Sequence, residues 1–272
     1  MFNELNNTIP TPSNHWDGVE YRRISLPQYE INMAFLSEYN FAGNEKILDI
    51  GCGDGTTSRA MAAKIPQGTV LGVDTSSSMI AAAKQASNPV NIQFQLLSAQ
   101  KLNFSQQFDL STSFFCMQWV PNKLLTMQKI YHALKPGGRF LMIVPMPHPH
   151  LPSIRQKLIT TARWQNYFKD YVDPLIYIND CDYKLYAHTA GLEVIAYRVD
   201  VTPVIFPSYK DFFDFMSQMT PHLSNLPTSE EKTAFMQELV NEYLKIYPTT
   251  ANNTYQLNFN LVKFSAEKSI NF

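Results

Sequence analysis

The chain has 272 residues, 45% of them hydrophobic and 17% charged, with a formal net charge of −1, enough to bury a substantial core and too apolar for disorder away from the ends. The near-neutral balance supplies no basic field for a nucleic-acid backbone, and no segment is apolar over the length that a membrane span requires. The leading MFNELNNTIPTPSNH lacks the basic start and apolar centre of a secretory signal, so a cytoplasmic setting is expected. In chain order, Pro27 to Tyr39 reads as a helix opening on proline at its first position. From Lys46 onward short apolar runs alternate with helical periods, the pattern of a parallel sheet covered by helices. Strands are expected at Lys46 to Gly51, Thr69 to Asp74, Ile92 to Leu97, Asp109 to Phe115 and Arg139 to Pro145. Leu124, Leu125, Met127, Ile130, Tyr131 and Leu134 give a helix period, which Lys135-Pro136-Gly137-Gly138 is expected to stop. His148 to Tyr177 is aromatic-rich, emerges where an insertion over the ligand-binding edge of the sheet would emerge, and reads as a lid. Strand signals return over Leu192 to Ile205. Thr228-Ser229-Glu230-Glu231 is a capping box before a helix with Phe235, Leu239, Tyr243 and Tyr247 on one side, and Tyr255 to Ala266 reads as a last strand.

The expected fold class is therefore α/β, one domain overall: an N-terminal cap and helix (1–40), a core (41–147), a lid insertion (148–190) and C-terminal strands and helices that complete the sheet (191–272). Cys52, Cys116 and Cys181 are widely separated with no CxxC pairing, which argues against a disulfide framework or a zinc site and makes buried thiols the expectation.

A strand ending in Gly51-Cys52-Gly53-Asp54-Gly55 and leading into a helix lets backbone approach a ligand closely and aims free N–H groups at it. A dinucleotide fingerprint would place its third glycine where this chain has Thr56, so that motif is not satisfied. Asp74 ends the second strand, where a carboxylate can accept hydrogen bonds from both hydroxyls of a ribose. Taken alone, the glycines also suit a tight strand-to-helix turn, Asp74 a helix cap and Met79 the core.

The segments ILDIGCGDG, VLGVDTSSSMIAAAK, FDLSTSFFCMQWV and HALKPGGRFLMIVP, in that order, resemble the class I S-adenosylmethionine-dependent methyltransferases. The resemblance implies a Rossmann-like, seven-stranded, mostly parallel sheet with helices on both faces, an antiparallel last strand and a helical lid after the fifth strand. It implies S-adenosyl-L-methionine as cofactor and S-adenosyl-L-homocysteine as product. Asp49 and the backbone of Gly51 and Gly53 would cradle the methionine part, Asp74 the ribose, and Met79 would pack near the adenine. Ser98-Ala99 stands where the family often has an acid and a small residue facing the adenine amino group, with Ser98 replacing the acid. Cys52, Gly55, Thr75 and Phe114 complete the expected cofactor-binding set.

The acceptor is narrowed by what is missing. The place after the fourth strand reads Ser113-Phe114-Phe115-Cys116, without the Pro-Pro-aromatic segment of base-amine methyltransferases. Cys116 follows phenylalanine in an apolar run rather than the proline that precedes a nucleophilic cysteine, and no acidic pair supplies Mg²⁺ ligands. A carboxylic acid, by contrast, is ionised at neutral pH and needs no general base. YRRISLPQ at Tyr21 to Gln28 resembles the juvenile hormone acid methyltransferases. MQWVP is similar to a segment shared with the trans-aconitate and malonyl-carrier-protein methyltransferases, and PMPHPHLPSIR with the tail from ELVNEYLKIYP to LNFNLVKFSAE resembles the trans-aconitate group.

By that resemblance the indole N–H of Trp119 and the amide of Gln28 orient the substrate carboxylate and Tyr21 closes over the cofactor. The plainer readings are a core aromatic for Trp119 and surface positions for Tyr21 and Gln28. His148 and His150 show no third metal ligand, so no metal is expected, and His148 is instead a candidate substrate contact. Arg155 reads as a solvated helix-face arginine, or as the partner of a second carboxylate of a diacid. The expected function is methyl-ester formation on a carboxylic acid or carrier-linked acid, apolar in part because the lid is aromatic, with no nucleic acid and no membrane insertion. A nitrogen, phenolic oxygen or carbon acceptor on a small metabolite, and a catalytically idle cofactor-binding protein, are the alternatives.

Overall fold

Five short segments become parallel strands, and the central ones are buried on both faces, as expected where helices cover both sides of a sheet. In the computed structural model, which describes residues 25–270, these are β1 Lys46–Ile50, β2 Thr69–Asp74, β3 Ile92–Leu96, β4 Phe108–Phe114 and β5 Leu134–Pro145. With β6 Leu192–Phe206 and β7 Tyr255–Lys268 they form one seven-stranded sheet in the order β3-β2-β1-β4-β5-β7-β6. β1 through β5 pair in parallel, and β7 runs antiparallel to both β5 and β6.

The helices are α1 Leu26–Leu36, α2 Thr56–Lys64, α3 Ser77–Gln85, α4 Lys123–Ala133, α5 Leu151–Ile159, α6 Asp180–Thr189, α7 Tyr209–Gln218 and α8 Ser229–Ile246. Alternation along the strands divides the core. Ile47, Leu110, Leu141 and Ile143 pack with residues of α1, α2, α3, α5, α7 and α8. Leu48, Ile50, Phe140 and Met142 pack on the other face with residues of α4 and α6. Helix starts follow local chemistry: Ser76 Oγ accepts Met79 N at 3.3 Å ahead of α3, Asn122 Oδ1 accepts Leu125 N at 2.8 Å ahead of α4, and Thr228 with Glu231 closes the capping box of α8.

Three readings are corrected. First, β5 begins at Leu134 rather than Arg139. Leu134 lies opposite Phe108, and the register then jumps to Leu110 opposite Arg139, so Lys135-Pro136-Gly137-Gly138 is a bulge inside the strand and α4 ends before it. Second, Cys52 is buried, but Cys116 is half-buried and Cys181 is exposed in the first turn of α6. Third, α1 ends at Leu36, short of Tyr39. The sequence reading also left 206–227 unassigned, where α7 buries Phe212, Phe215 and Met216 at helical spacing.

The segment after β5 is docked on α8. Trp164 is 1% exposed and donates from Nε1 to Glu238 Oε2 at 2.8 Å, Arg163 pairs with Glu238 Oε1 at 2.5 Å, and the Phe168 and Phe235 rings lie 5.5 Å apart. Helix α6, grouped with the lid from sequence, lies on the other face of the sheet, where Tyr183 and Ala187 join the cluster that holds α4.

Candidate active site

At the carboxyl end of β1 the backbone turns through left-handed conformations, with φ of +72° at Gly51 and +56° at Gly53. Gly51 N and Cys52 N both donate to Val73 O, at 2.8 and 3.1 Å, which ties the loop to β2. Gly53 N donates to Asp74 Oδ2 at 3.0 Å and Ser76 N to Asp74 Oδ1 at 2.8 Å. A carboxylate offers about four lone-pair sites, so Asp74 keeps capacity for two further donors. Burial raises its pKa, and the backbone N–H bonds from Ser76 and Gly53 oppose that.

Asp49 lies beneath the loop, 3% exposed, and accepts Ser58 Oγ at 2.5 Å and Thr112 Oγ1 at 2.7 Å. Burial raises its pKa against those two bonds. Asp49, Gly51, Cys52, Gly53, Phe114 and Gln28 line one cleft. Buried Met79, in the first turn of α3, and buried Ala99 lie past the carboxyl ends of β2 and β3, with Thr75 exposed between β2 and α3. Ser98 Oγ accepts Gln100 N at 3.3 Å, leaving its own hydroxyl proton to donate elsewhere. Tyr21 lies outside the described residues.

The glycines divide into two kinds. A Cβ at Gly51 would lie 2.4 Å from Cys116 Sγ, and one at Gly55 2.4 Å from Phe94 Cζ, so at both positions the protein itself occupies the space. Gly55 is absent from the lining of the cleft; it shapes the turn that starts α2. Gly51 and Gly53 line the cleft as a backbone cradle, and a flat, polar-edged group such as a nucleoside bearing an amino acid fits that backbone beside a carboxylate with spare acceptors.

The cleft includes residues that the motif reading missed. Ser25, Tyr29 and Asn32 reach it from α1, and Asn32 Nδ2 donates to Thr57 Oγ1 at 3.2 Å while its buried Oδ1 has no partner. Their signal was a polar stripe at helical spacing, with Gln28 6% and Asn32 7% exposed, on a helix that a surface assignment would leave solvated.

Beyond the cleft lies a second pocket, open to solvent, with an apolar body from Leu151, Leu175, Met216, Met219 and Leu257. Gln28 Nε2 contacts Met219 Sδ at 3.7 Å, so Gln28 stands at the junction of the two spaces. Phe115, a non-glycine residue at φ +52°, lines the cleft and meets Phe259 of the second pocket edge-on at 6.1 Å. Gln118 faces the second pocket, donating from Nε2 to Phe115 O at 2.8 Å with its buried Oε1 unpartnered. Trp119, the next residue, is half-buried and lines neither space.

The polar groups of this pocket carry no acid. Gln118, His148, Arg155, Tyr177, Thr220 and Asn258 line it, and no Asp or Glu does so among the described residues. His148 Nδ1 accepts the backbone N–H groups of His150 and Leu151, each at 3.2 Å, which caps α5 and leaves the ring proton on Nε2. Burial, aided by the neighbouring His150 ring and the Arg155 cation, pushes His148 down to about 4. His150 is bonded to the Tyr247 hydroxyl at 2.7 Å, and no cluster of His, Cys, Asp and Glu among the described residues is placed to hold a metal. Arg155 departs from the solvated reading: it is 7% exposed, buried in the pocket wall.

Residues 47–138 match a family model described as a methyltransferase domain. The chain is 30% identical over 257 residues to methyltransferase 235L of Invertebrate iridescent virus 6, covering 94% of this chain and 95% of that one. It is 36% identical to the trans-aconitate 2-methyltransferase of Deinococcus radiodurans over half of each protein (50% and 51%). It is 26% identical to the malonyl-[acyl-carrier protein] O-methyltransferase of Priestia megaterium, covering 75% and 77%. Among solved structures, phosphoethanolamine N-methyltransferase 2 of Haemonchus contortus, in complex with S-adenosyl-L-methionine, superposes with a TM-score of 0.61 at 20% identity over 93% of this chain and 57% of that one.

Proposed function

This chain belongs to the class I S-adenosylmethionine-dependent methyltransferases, and on that basis we propose that it converts a small-molecule carboxylate to its methyl ester. The observation that carries the proposal is the make-up of the second pocket. It holds a buried cation and no group whose pKa lies near neutrality: His148 is pushed down to about 4, and burial pushes the Tyr177 hydroxyl up. A phenol or an ammonium acceptor must lose a proton, which calls for a base poised near the working pH. An ammonium is also repelled by Arg155. A carboxylate arrives ionised and needs no such base. Relatives named for trans-aconitate and malonyl-carrier protein support an acid acceptor.

When bound at the glycine cradle, S-adenosyl-L-methionine supplies an electrophilic methyl group on a sulfonium. The Gln28 amide, at the junction of cleft and pocket, orients the acceptor carboxylate. Phe115, Phe259 and Met219 keep water from the junction. The proposal includes a cytoplasmic enzyme with no nucleic-acid partner, in keeping with its near-neutral charge. No helix among the described residues is long and apolar enough to cross a membrane.

The test is transfer of labelled methyl to a panel of monoacids, diacids and carrier-linked acids, with phenols and amines alongside. The expected product releases its label in mild alkali, as methyl esters do. Label appearing only in alkali-stable phenol or amine products overturns the proposal.

A further inference from the structure

Arg155 is the group in the second pocket that ester formation does not by itself explain. Burying a guanidinium costs heavily unless a partner anion compensates it. None does so here. No carboxylate among the described residues lies within ion-pair distance of Arg155, and its buried Nε has no hydrogen-bond partner. The Tyr177 hydroxyl beside it in the pocket wall is uncharged. Asp173 acts on Tyr171 and Tyr177 but is exposed, and its Oδ1 accepts Leu175 N at 3.0 Å. The two histidines that feel the cation, His148 and His222, are both kept neutral by burial and by Arg155 itself.

The place of Arg155 matters as much as its isolation. It projects from α5, and none of Tyr171, Tyr177, His148 and His222 lines the cofactor cleft. The junction with that cleft is made by Gln28, Phe115 and Met219, residues of other elements. A guanidinium bound to the attacking oxygen would draw off the electron density that makes it a nucleophile, and it would sit beside a cationic sulfonium. In the wall of the second pocket, outside the cofactor cleft, it does neither. A free Nε next to an Nη presents the planar fork that matches a carboxylate through two parallel bonds.

Building on the carboxylate-acceptor reading, we infer that Arg155 binds a second, non-reacting carboxylate, so that the substrate is a dicarboxylic acid with an apolar stretch between its two ends. The apolar wall from Leu175, Met216 and Leu257 accommodates that stretch, and Arg155 selects against monoacids.

Calorimetry on the full chain with S-adenosyl-L-homocysteine bound tests this without requiring turnover. The probes are straight-chain dicarboxylates from glutarate to suberate, their monomethyl esters, and monocarboxylates of matching length. At least one dicarboxylate is expected to bind 10-fold or more tighter than its monoester and monoacid. Arg155→Met is expected to erase that preference, with a loss of about 10- to 100-fold for the dicarboxylate. Arg155→Lys, which keeps the charge and loses the fork, is expected to fall between. Melting temperature and S-adenosyl-L-homocysteine affinity report whether each variant folds, and the Arg155→Lys result decides the matter if Arg155→Met does not fold. A wild-type protein with no preference for dicarboxylates, or variants that keep the wild-type preference, overturns the inference. If dicarboxylates bind through Arg155 but no ester forms, it is the carboxyl-transfer reading that fails.

Discussion

Replacing Gly51 by alanine tests the cradle through two separable costs. At φ +72° a Cβ carries the left-handed penalty, about 1–2 kcal/mol. The same Cβ would sit 2.4 Å from Cys116 Sγ and 2.5 Å from Cys116 Cβ, an overpacking worth about 1–3 kcal/mol more. Together they predict a loss of about 2–5 kcal/mol, which lowers Tm by roughly 5–15 °C at the size scaling of larger domains. Affinity for S-adenosyl-L-methionine should fall more than about 10-fold, because Gly51 cannot keep its place against the cleft. Cys116→Gly removes Sγ and Cβ and leaves Cα at 3.8 Å, an ordinary contact. In a double-mutant cycle it should therefore return the overlap part of the cost, about 1–3 kcal/mol, and leave the backbone part standing. Denaturant unfolding and calorimetry on the four proteins of the cycle read both quantities. A Gly51→Ala protein that melts within about 1 °C of the parent, or a coupling energy below about 0.5 kcal/mol, would refute the reasoning.

Asp74→Asn removes the charge from a carboxylate that already holds two backbone N–H groups, and should weaken S-adenosyl-L-methionine by about 10- to 100-fold in calorimetry; a loss under about 3-fold contradicts the ribose role. Trp119→Ala, in contrast, should spare cofactor affinity and leave kcat within about 3-fold, because Trp119 lines neither the cleft nor the pocket; a larger fall in kcat would return Trp119 to the acceptor-orienting role expected from sequence. With no pocket base near neutrality, kcat on the best acid should stay level between about pH 6 and 8, and a rising limb with a midpoint near 7 would point to a titrating base instead. Stability should respond to acid through His222, which is 2% exposed and pushed from 6.5 down to about 3 by burial and then by Arg155. A lowered histidine favours the neutral folded form, so its contribution is complete above pH 6.5 and is lost as the pH falls from there towards 3. His222→Gln should flatten the dependence of Tm on pH across that window, and an unchanged slope argues against it.

Legibility followed the range of the forces involved. β1 is readable because burial on both faces writes an apolar run, the edge strand β3 because buried Ile92 and Phe94 alternate with exposed Gln93 and Gln95, and the capping box of α8 because Thr228 and Glu231 act on each other three residues apart. The start of β5 was not, since Pro136 and the paired glycines look like a turn and only the pairing of Leu134 with Phe108 makes them a bulge. The cleft was legible where its chemistry is local to one loop, at Asp49, Gly51, Gly53 and Asp74. It was opaque where partners come from afar: Asn32 reaches Thr57 across 25 positions, and Cys116 fills the space that Gly51 leaves. Arg155 shows the same limit. Its spacing on α5 suits a solvated face, and only the pocket walls brought around it from distant parts of the chain, at Leu175, Tyr177, Met216 and Leu239, bury it.

The most direct measurement is a crystal structure with S-adenosyl-L-homocysteine bound. The expected result places the ribose hydroxyls on the Asp74 carboxylate, the homocysteine part along Gly51 and Gly53, and the sulfur facing the junction marked by Gln28 and Phe115. A ligand seated in the pocket beside Arg155, or one that leaves Asp74 bonded only to Gly53 and Ser76, would contradict the account.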